Sequence, residues 1–185
     1  MTTKLELAFY ARDARVVAKA LIGKWLRHGE LAGRIVETEA YLGAKDAASH
    51  ARFGPAGRAK VMYGPAGVAY VYLIYGMHEC LNVVTGDEGA GQAVLLRAIE
   101  HSPPLARCDG PGRLTKAMGI DRRYNGHSLL QDDLYIEDRH EPAPRVRTTA
   151  RIGVTYADAW ANKRYRWVDA RSEGLSVRLP GAPRR

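Results

Sequence analysis

Arg34-Ile35-Val36-Glu37-Thr38-Glu39-Ala40-Tyr41 has the two-residue alternation of a β-strand. As a strand it places Glu37, Glu39 and Tyr41 on one face and Val36, Thr38 and Ala40 on the other. Two carboxylates and a ring are an unusual set for one face of a half-buried sheet, which more often carries apolar or mixed-charge pairs. A solvated edge strand would explain them, because charge usually marks an exposed face. A site that uses carboxylates would explain them too. The octapeptide alone leaves both open.

Upstream, Asp13 reads as the N-cap and Gly23 as the stop of a short helix. Val16, Val17, Ala20 and Leu21 recur at helical spacing and predict its core-facing side. Trp25 to Arg27, a turn at His28-Gly29-Glu30 and Leu31 to Tyr41 read as a hairpin. Downstream, Asp46 to Ala51 reads as one helical turn, followed by a glycine-rich basic loop containing Gly54, Pro55, Gly57, Arg58 and Lys60. Tyr70 to Tyr75, Leu81 to Thr85 and Ala93 to Ala98 read as strands, so residues 31–98 predict an antiparallel meander. Gly76-Met77-His78-Glu79 joins the first two, with Tyr70 and Tyr72 on one face and Tyr75 on the other near the tip. Beyond come a helix over Arg113 to Met118 stopped by Gly119, and strands at Leu134 to Glu137 and Arg151 to Val154. The tail through Trp160, Trp167 and Val177 shows no regular pattern. The fold expected is mixed α+β: a single compact domain over residues 1–185, on a curved antiparallel sheet with flanking helices, its tail after about residue 178 disordered.

At 185 residues, 46% apolar and 26% charged, the composition is that of a globular domain, not a disordered chain. The net charge of +8 is uneven: residues 139–185 hold 11 Lys/Arg against 4 Asp/Glu. Such charge attracts nucleic acid or an anionic membrane, although compositional bias produces it as well. Cys80 and Cys108 form no CxxC pair, which fits a reducing compartment, and no apolar run reaches a membrane span of about 18 residues. The protein is expected to be cytoplasmic.

Among chemistries, metal fares poorly: His78-Glu79 begins an HExxH pattern that fails at Asn82. No GxSxG elbow is present, and Cys80 reads as a small core residue on a strand. The paired carboxylates Glu37 and Glu39 remain, suited to acid–base work on a glycosidic bond. Their neighbours are aromatic: Tyr41, His50, Tyr70, Tyr72 and Tyr75. A flat base held against rings in a basic protein fits this company, and so does an ordinary tyrosine-rich core.

Arg34 to Gly43, His50, Tyr70 to Met77 with Asn82, and Val94 to Ala98, in that order, closely resemble the alkyladenine (3-methyladenine) DNA glycosylase family. Gly110-Pro111-Gly112-Arg113-Leu114 and Arg151-Ile152-Gly153-Val154 match later motifs, and the resemblance runs from about Ala8 to Val168. It implies a base-excision repair enzyme without lyase activity, acting on double-stranded DNA that contains alkylated or deaminated purines, as a monomer and without a metal or other cofactor. It implies Glu39 as the general base for water and Arg97 as the residue that helps hold that water. Tyr41, His50 and Tyr72 are implied as the sandwich around the extruded base, and Asn82 as the pocket floor that disfavours guanine. Tyr75 is implied as the wedge left in the duplex, with Met77 beside it. Three departures stand out. His78 replaces a common tyrosine, the segment at 101–107 is short where a helix is usual, and Asn162-Lys163-Arg164-Tyr165 replaces a Lys-Pro tail motif. A non-catalytic damage binder would keep the pocket but would need neither Glu39 nor Arg97, and a nucleoside- or RNA-directed hydrolase would not need Tyr75.

Overall fold

A computed structural model of the chain describes residues 2–101 and 107–179. The tail expectation and that for the short segment at 101–107 fall mainly on residues 180–185 and 102–106, which lie outside the described residues. Nine strands are described: β1 (Thr3–Lys4), β2 (Trp25–His28), β3 (Leu31–Leu42), β4 (Ala69–Ile74), β5 (His78–Thr85), β6 (Gln92–Glu100), β7 (Leu134–Asp138), β8 (Val146–Thr149) and β9 (Arg166–Asp169). With α1 (Leu7–Tyr10), α2 (Ala14–Leu21), α3 (Pro111–Met118) and several 3-10 turns they form one mixed α+β domain on a curled antiparallel sheet. The strand order is β1-β7-β2-β3-β6-β5-β4, with β9 on β3 and β8 on β9.

Strand β3 is the spine of this sheet and not its edge. One side pairs along its length with β6. The other side is divided, Leu31–Arg34 facing β2 and Glu37–Glu39 facing β9. A register shift on either side of Glu37 marks a bulge there. It changes the predicted faces: Ile35 and Ala40 enter the main core, whereas Val36 packs with Ala98, Val168 and Leu175 in a separate cluster. An extra residue reverses the side-chain parity on its two sides.

The predicted meander holds for β4, β5 and β6, but β3 pairs with β6 and not with β4. The connection between β3 and β4 instead lays 3-10 turns at His50–Phe53 and Gly57–Tyr63 over the sheet. Their Ala51 and Met62 pack on Tyr70, Val84 and Ala93. The helical turn therefore begins at His50, after a non-helical stretch at 46–49.

Helix α2 starts where expected, Asp13 accepting from the Arg15 amide at 2.8 Å. Its buried stripe is Ala14, Val17, Ala18 and Leu21; Val16 points to solvent. Every third or fourth position reaches the core, and each fully buried Val or Leu contributes about 1.5–3 kcal/mol by leaving water. The Thr38 hydroxyl donates to Ala18 O of α2 at 2.8 Å, so α2 covers the face of β3 opposite the carboxylates. Helix α3 begins two residues before Arg113, with proline in its first turn, and ends at Gly119 in the left-handed region. Residues 151–154 are not a strand; the tail supplies β8 and β9 instead.

Candidate active site

The antiparallel register places Glu39 beside Leu95, Leu95 beside Asn82, and Asn82 beside Tyr70. These four residues form one row across β3, β6, β5 and β4, and side chains in such a row share a face. Tyr41, Arg97, Cys80 and Tyr72, two positions from members of that row, share the face as well. Sheet pairing thus gathers residues from 39 to 97 over one cavity of about 520 Å³. Tyr41, His50, Tyr72, Tyr75, Asn82 and Arg97 all line it. Met77 does not, although it is 70% exposed on the same hairpin tip.

Glu39 lies beneath this cavity and has no exposed surface. A buried carboxylate is costly unless its oxygens receive donors. Its Oε1 accepts from the Ile152 amide at 2.8 Å. Its Oε2 accepts from the Tyr41 hydroxyl at 2.9 Å and from Arg97 Nη1 at 3.3 Å. Burial first, and then the charge of Glu39, raises the Tyr41 pKa well above the ordinary phenol value, so Tyr41 remains a donor. Burial pulls the Arg97 pKa down, but Glu39 and Glu37 outweigh it and the net direction is up.

Glu37 shares this face but turns away from the cavity. Its Oε1 accepts from Arg97 Nε at 3.1 Å, Arg166 Nε at 2.7 Å and Ser176 Oγ at 2.6 Å, and its Oε2 from the Ser176 amide at 2.6 Å. The two carboxylates therefore differ in occupation. Glu37 is held by two guanidinium groups and a serine, while Glu39 is held by groups that also form the cavity wall.

The aromatic wall is built from β4 and the turn at His50–Phe53. His50 and Tyr72 meet edge to face, with centroids 4.7 Å apart, and Tyr70 tilts against Tyr72 at 5.3 Å. Tyr70 OH and His50 Nδ1 are hydrogen-bonded at 2.9 Å, which fixes the imidazole plane. Burial, reinforced by Arg58 and Arg52, lowers the His50 pKa, favouring the neutral ring. Asn82 donates from Nδ2 to Tyr70 O at 3.0 Å, which holds its amide in one orientation at the base of the cavity. Cys80 is buried as expected, and burial pushes its thiol up to about 11.

Tyr75 is not part of β4. It occupies the hairpin tip at φ +53°, followed by Gly76 at φ +69°, and the Met77 amide closes the turn on Ile74 O at 3.2 Å. Two successive left-handed residues give a hairpin turn that follows the strand twist; Gly76 adopts that conformation freely and Tyr75 does not. The tyrosine is 86% exposed. Beside it, His78 lines the cavity mouth, and a Cβ on Gly112 of α3 would stand 2.9 Å from that of His78. Gly112 therefore permits the close approach of α3 to the hairpin.

Several partners escaped the sequence reading. Arg151 and Asp46, both fully buried, form a bidentate pair at 2.5 and 2.9 Å. Arg151 also donates to Ala40 O at 2.9 Å and covers the Tyr41 ring at 4.8 Å from its centroid. This pair fixes the segment from which the Ile152 amide reaches Glu39. No local signal marks it, because the partners stand 105 residues apart. Among the described residues no group of three His, Cys, Asp or Glu is arranged to hold a metal ion, and no helix is long and apolar enough to cross a membrane.

Comparison with known proteins places the whole chain, not the individual side chains of this cavity. The family model for methylpurine-DNA glycosylase matches residues 8–173. A protein of Anaeromyxobacter dehalogenans (strain 2CP-1) is 52% identical over 97% of this chain and 88% of its own length. One of Legionella pneumophila (strain Corby) is 51% identical over 89% of this chain and 93% of its own. One of Myxococcus xanthus is 52% identical over 87% and 88%. All three are provisionally named 3-methyladenine DNA glycosylase. The chain belongs to the methylpurine-DNA glycosylase family, whose work is base-excision repair of DNA.

Proposed function

We propose that this chain extrudes alkylated or deaminated purines, of the 3-methyladenine, hypoxanthine and ethenoadenine class, from duplex DNA and hydrolyses their N-glycosidic bond with water. The observation that carries this reading is Glu39, buried beneath the cavity and hydrogen-bonded to Ile152, Tyr41 and Arg97. In the reaction, water attacks C1′, the C1′–N bond breaks with its electrons passing to the base, and Glu39 accepts the water proton. An N3- or N7-alkylated purine is already cationic and departs as a neutral base without a proton donor, whereas neutral hypoxanthine or ethenoadenine takes up a proton from solvent as it departs. The faces of Tyr41 and Tyr72 favour such a cation, by about 0.5–2 kcal/mol per ring, and a neutral His50 does not oppose it. Tyr75 fills the gap left in the duplex, offsetting part of the few kcal/mol that unstacking costs. Hydrolysis requires no amine nucleophile, so the product is an intact abasic site. The protein acts as a monomer in the cytoplasm, where the chromosomal DNA of its bacterial relatives lies.

Duplex oligonucleotides carrying hypoxanthine, ethenoadenine or 3-methyladenine test this directly by the appearance of abasic sites. Wild type releases the base, whereas Glu39→Gln binds the lesion duplex and releases none. Excision by Glu39→Gln at the wild-type rate would remove Glu39 from the reaction. Lesion binding by wild type without any base release would favour a non-catalytic damage binder.

A further inference from the structure

The family match ends at residue 173, but the chain continues across the back of the site. Leu175 is buried against Val36, Ala98 and Val168, next to Glu37. From this anchor Ser176 gives Glu37 both its amide and its hydroxyl, each at 2.6 Å. The same hydroxyl accepts from Arg97 Nε at 3.2 Å. Arg166 closes the arrangement, donating to Glu37 through Nε at 2.7 Å and to Val177 O through Nη2 at 2.5 Å. Ser176 Oγ therefore bridges Arg97 and Glu37, relaying one hydrogen bond to the other.

The consequence lies in the geometry of Arg97. A guanidinium is planar and rigid, so fixing Nε fixes the direction of both terminal nitrogens. Nε is fixed by Glu37 at 3.1 Å and by Ser176, and Nη1 then points at Glu39 Oε2 at 3.3 Å. Without the serine hydroxyl, Glu37 loses one of its four donors and Arg97 Nε one of its two acceptors. The guanidinium is then held at Nε by Glu37 alone, itself less firmly fixed, and its aim at Glu39 loosens.

We propose that Leu175–Val177 is a positioning strap for the Arg97–Glu39 pair, with Ser176 as its positioning residue. The inference rests on the glycosylase reading of Glu39. Ser176 does not line the cavity, so its effect falls on the chemical step and not on lesion binding.

Single-turnover excision of hypoxanthine from a saturated duplex, with lesion binding and thermal melting measured in parallel, tests it. Ser176→Ala should slow excision about tenfold while binding stays within about twofold of wild type. Ser176→Thr, which keeps the hydroxyl, should recover most of the rate. If the serine acts through Glu37, Ser176→Ala should change the rate by less than about twofold in a Glu37→Gln background. An excision rate for Ser176→Ala equal to wild type would overturn the proposal. So would an equally slow Ser176→Thr, or full additivity with Glu37→Gln. When wild type excises, Glu39→Gln does not and Ser176→Ala is unaffected, the strap fails and the glycosylase reading stands. When wild type releases no base, both fall together.

Discussion

Replacing Asp46 by Asn tests whether the buried ion pair supports both fold and site. The carboxylate accepts from the amides of Leu42 and Ala48 at 3.1 and 3.0 Å and from both terminal nitrogens of Arg151. An asparagine keeps one acceptor oxygen and turns an NH2 towards donors. The Arg151 charge, with no exposed surface, then stands unpaired. Removing one partner of a buried pair costs about 3–5 kcal/mol. Arg151 retains its bond to Ala40 O at 2.9 Å, so the lower end, about 3 kcal/mol, applies here. For a chain of this size that corresponds to a fall in Tm of roughly 6–12 °C. Excision measured well below the melt should fall as well, because the segment carrying the Ile152 amide to Glu39 has lost its anchor. Adding Arg151→Met should raise the melt above that of Asp46→Asn alone, since no charge is then buried without a partner. A single variant that melts within about 2 °C of wild type would refute the calculation, that shift being at most about 1 kcal/mol for this chain length. Unchanged excision would refute the link from Asp46 to Glu39.

For Tyr75→Ala, excision of well-paired lesions should suffer more than that of mispaired ones; equal losses in paired single-turnover assays would count against a wedge. Tyr75→Gly should melt slightly above Tyr75→Ala, because glycine avoids the roughly 1–2 kcal/mol of left-handed strain at φ +53°. His50 gives a pH signature. Burial and the neighbouring arginines lower its folded pKa, so between that value and the unfolded value of about 6.5 the unfolded chain binds more protons. Its contribution to stability is therefore complete above about pH 6.5 and is lost as pH falls through the folded pKa. Melting from pH 7 to pH 5 should decline less steeply for His50→Gln than for wild type, and parallel slopes would exclude the assignment.

Much of this architecture is legible in local sequence, and what is not has a common cause. The Asp13 cap, the β2–β3 hairpin and the Gly119 stop depend on neighbours in the chain and appear where expected. Motifs single out the candidate residues on β3 to β6, but their assembly is a matter of register. Nothing local states that Glu39, Leu95, Asn82 and Tyr70 form one row. The bulge at Glu37 defeats simple alternation and turns Val36 away from Thr38 and Ala40. The contribution of the tail was hidden for the same reason. Residues 151–154 look like a strand by composition, yet their work is done by the Arg151 side chain and the Ile152 amide.

The tail also changes the meaning of the chain's charge. Glu37, Glu39 and Asp46 are all without exposed surface, so each must find cationic or amide partners inside the protein. Arg97 comes from β6, whereas Arg151 and Arg166 come from the basic C-terminal quarter. That basicity is therefore not wholly available to DNA, for two of its arginines neutralise carboxylates on the inner face of β3 and after it. The same tail removes the edge on which a solvated reading of Glu37 and Glu39 depended. Strand β9 pairs with β3 along Glu37–Glu39, and its own Arg166 donates to Glu37 from within that pairing. With β9 in place, one carboxylate of β3, Glu37, is fixed by Arg166, Arg97 and Ser176, and the other, Glu39, is held by groups that line the cavity.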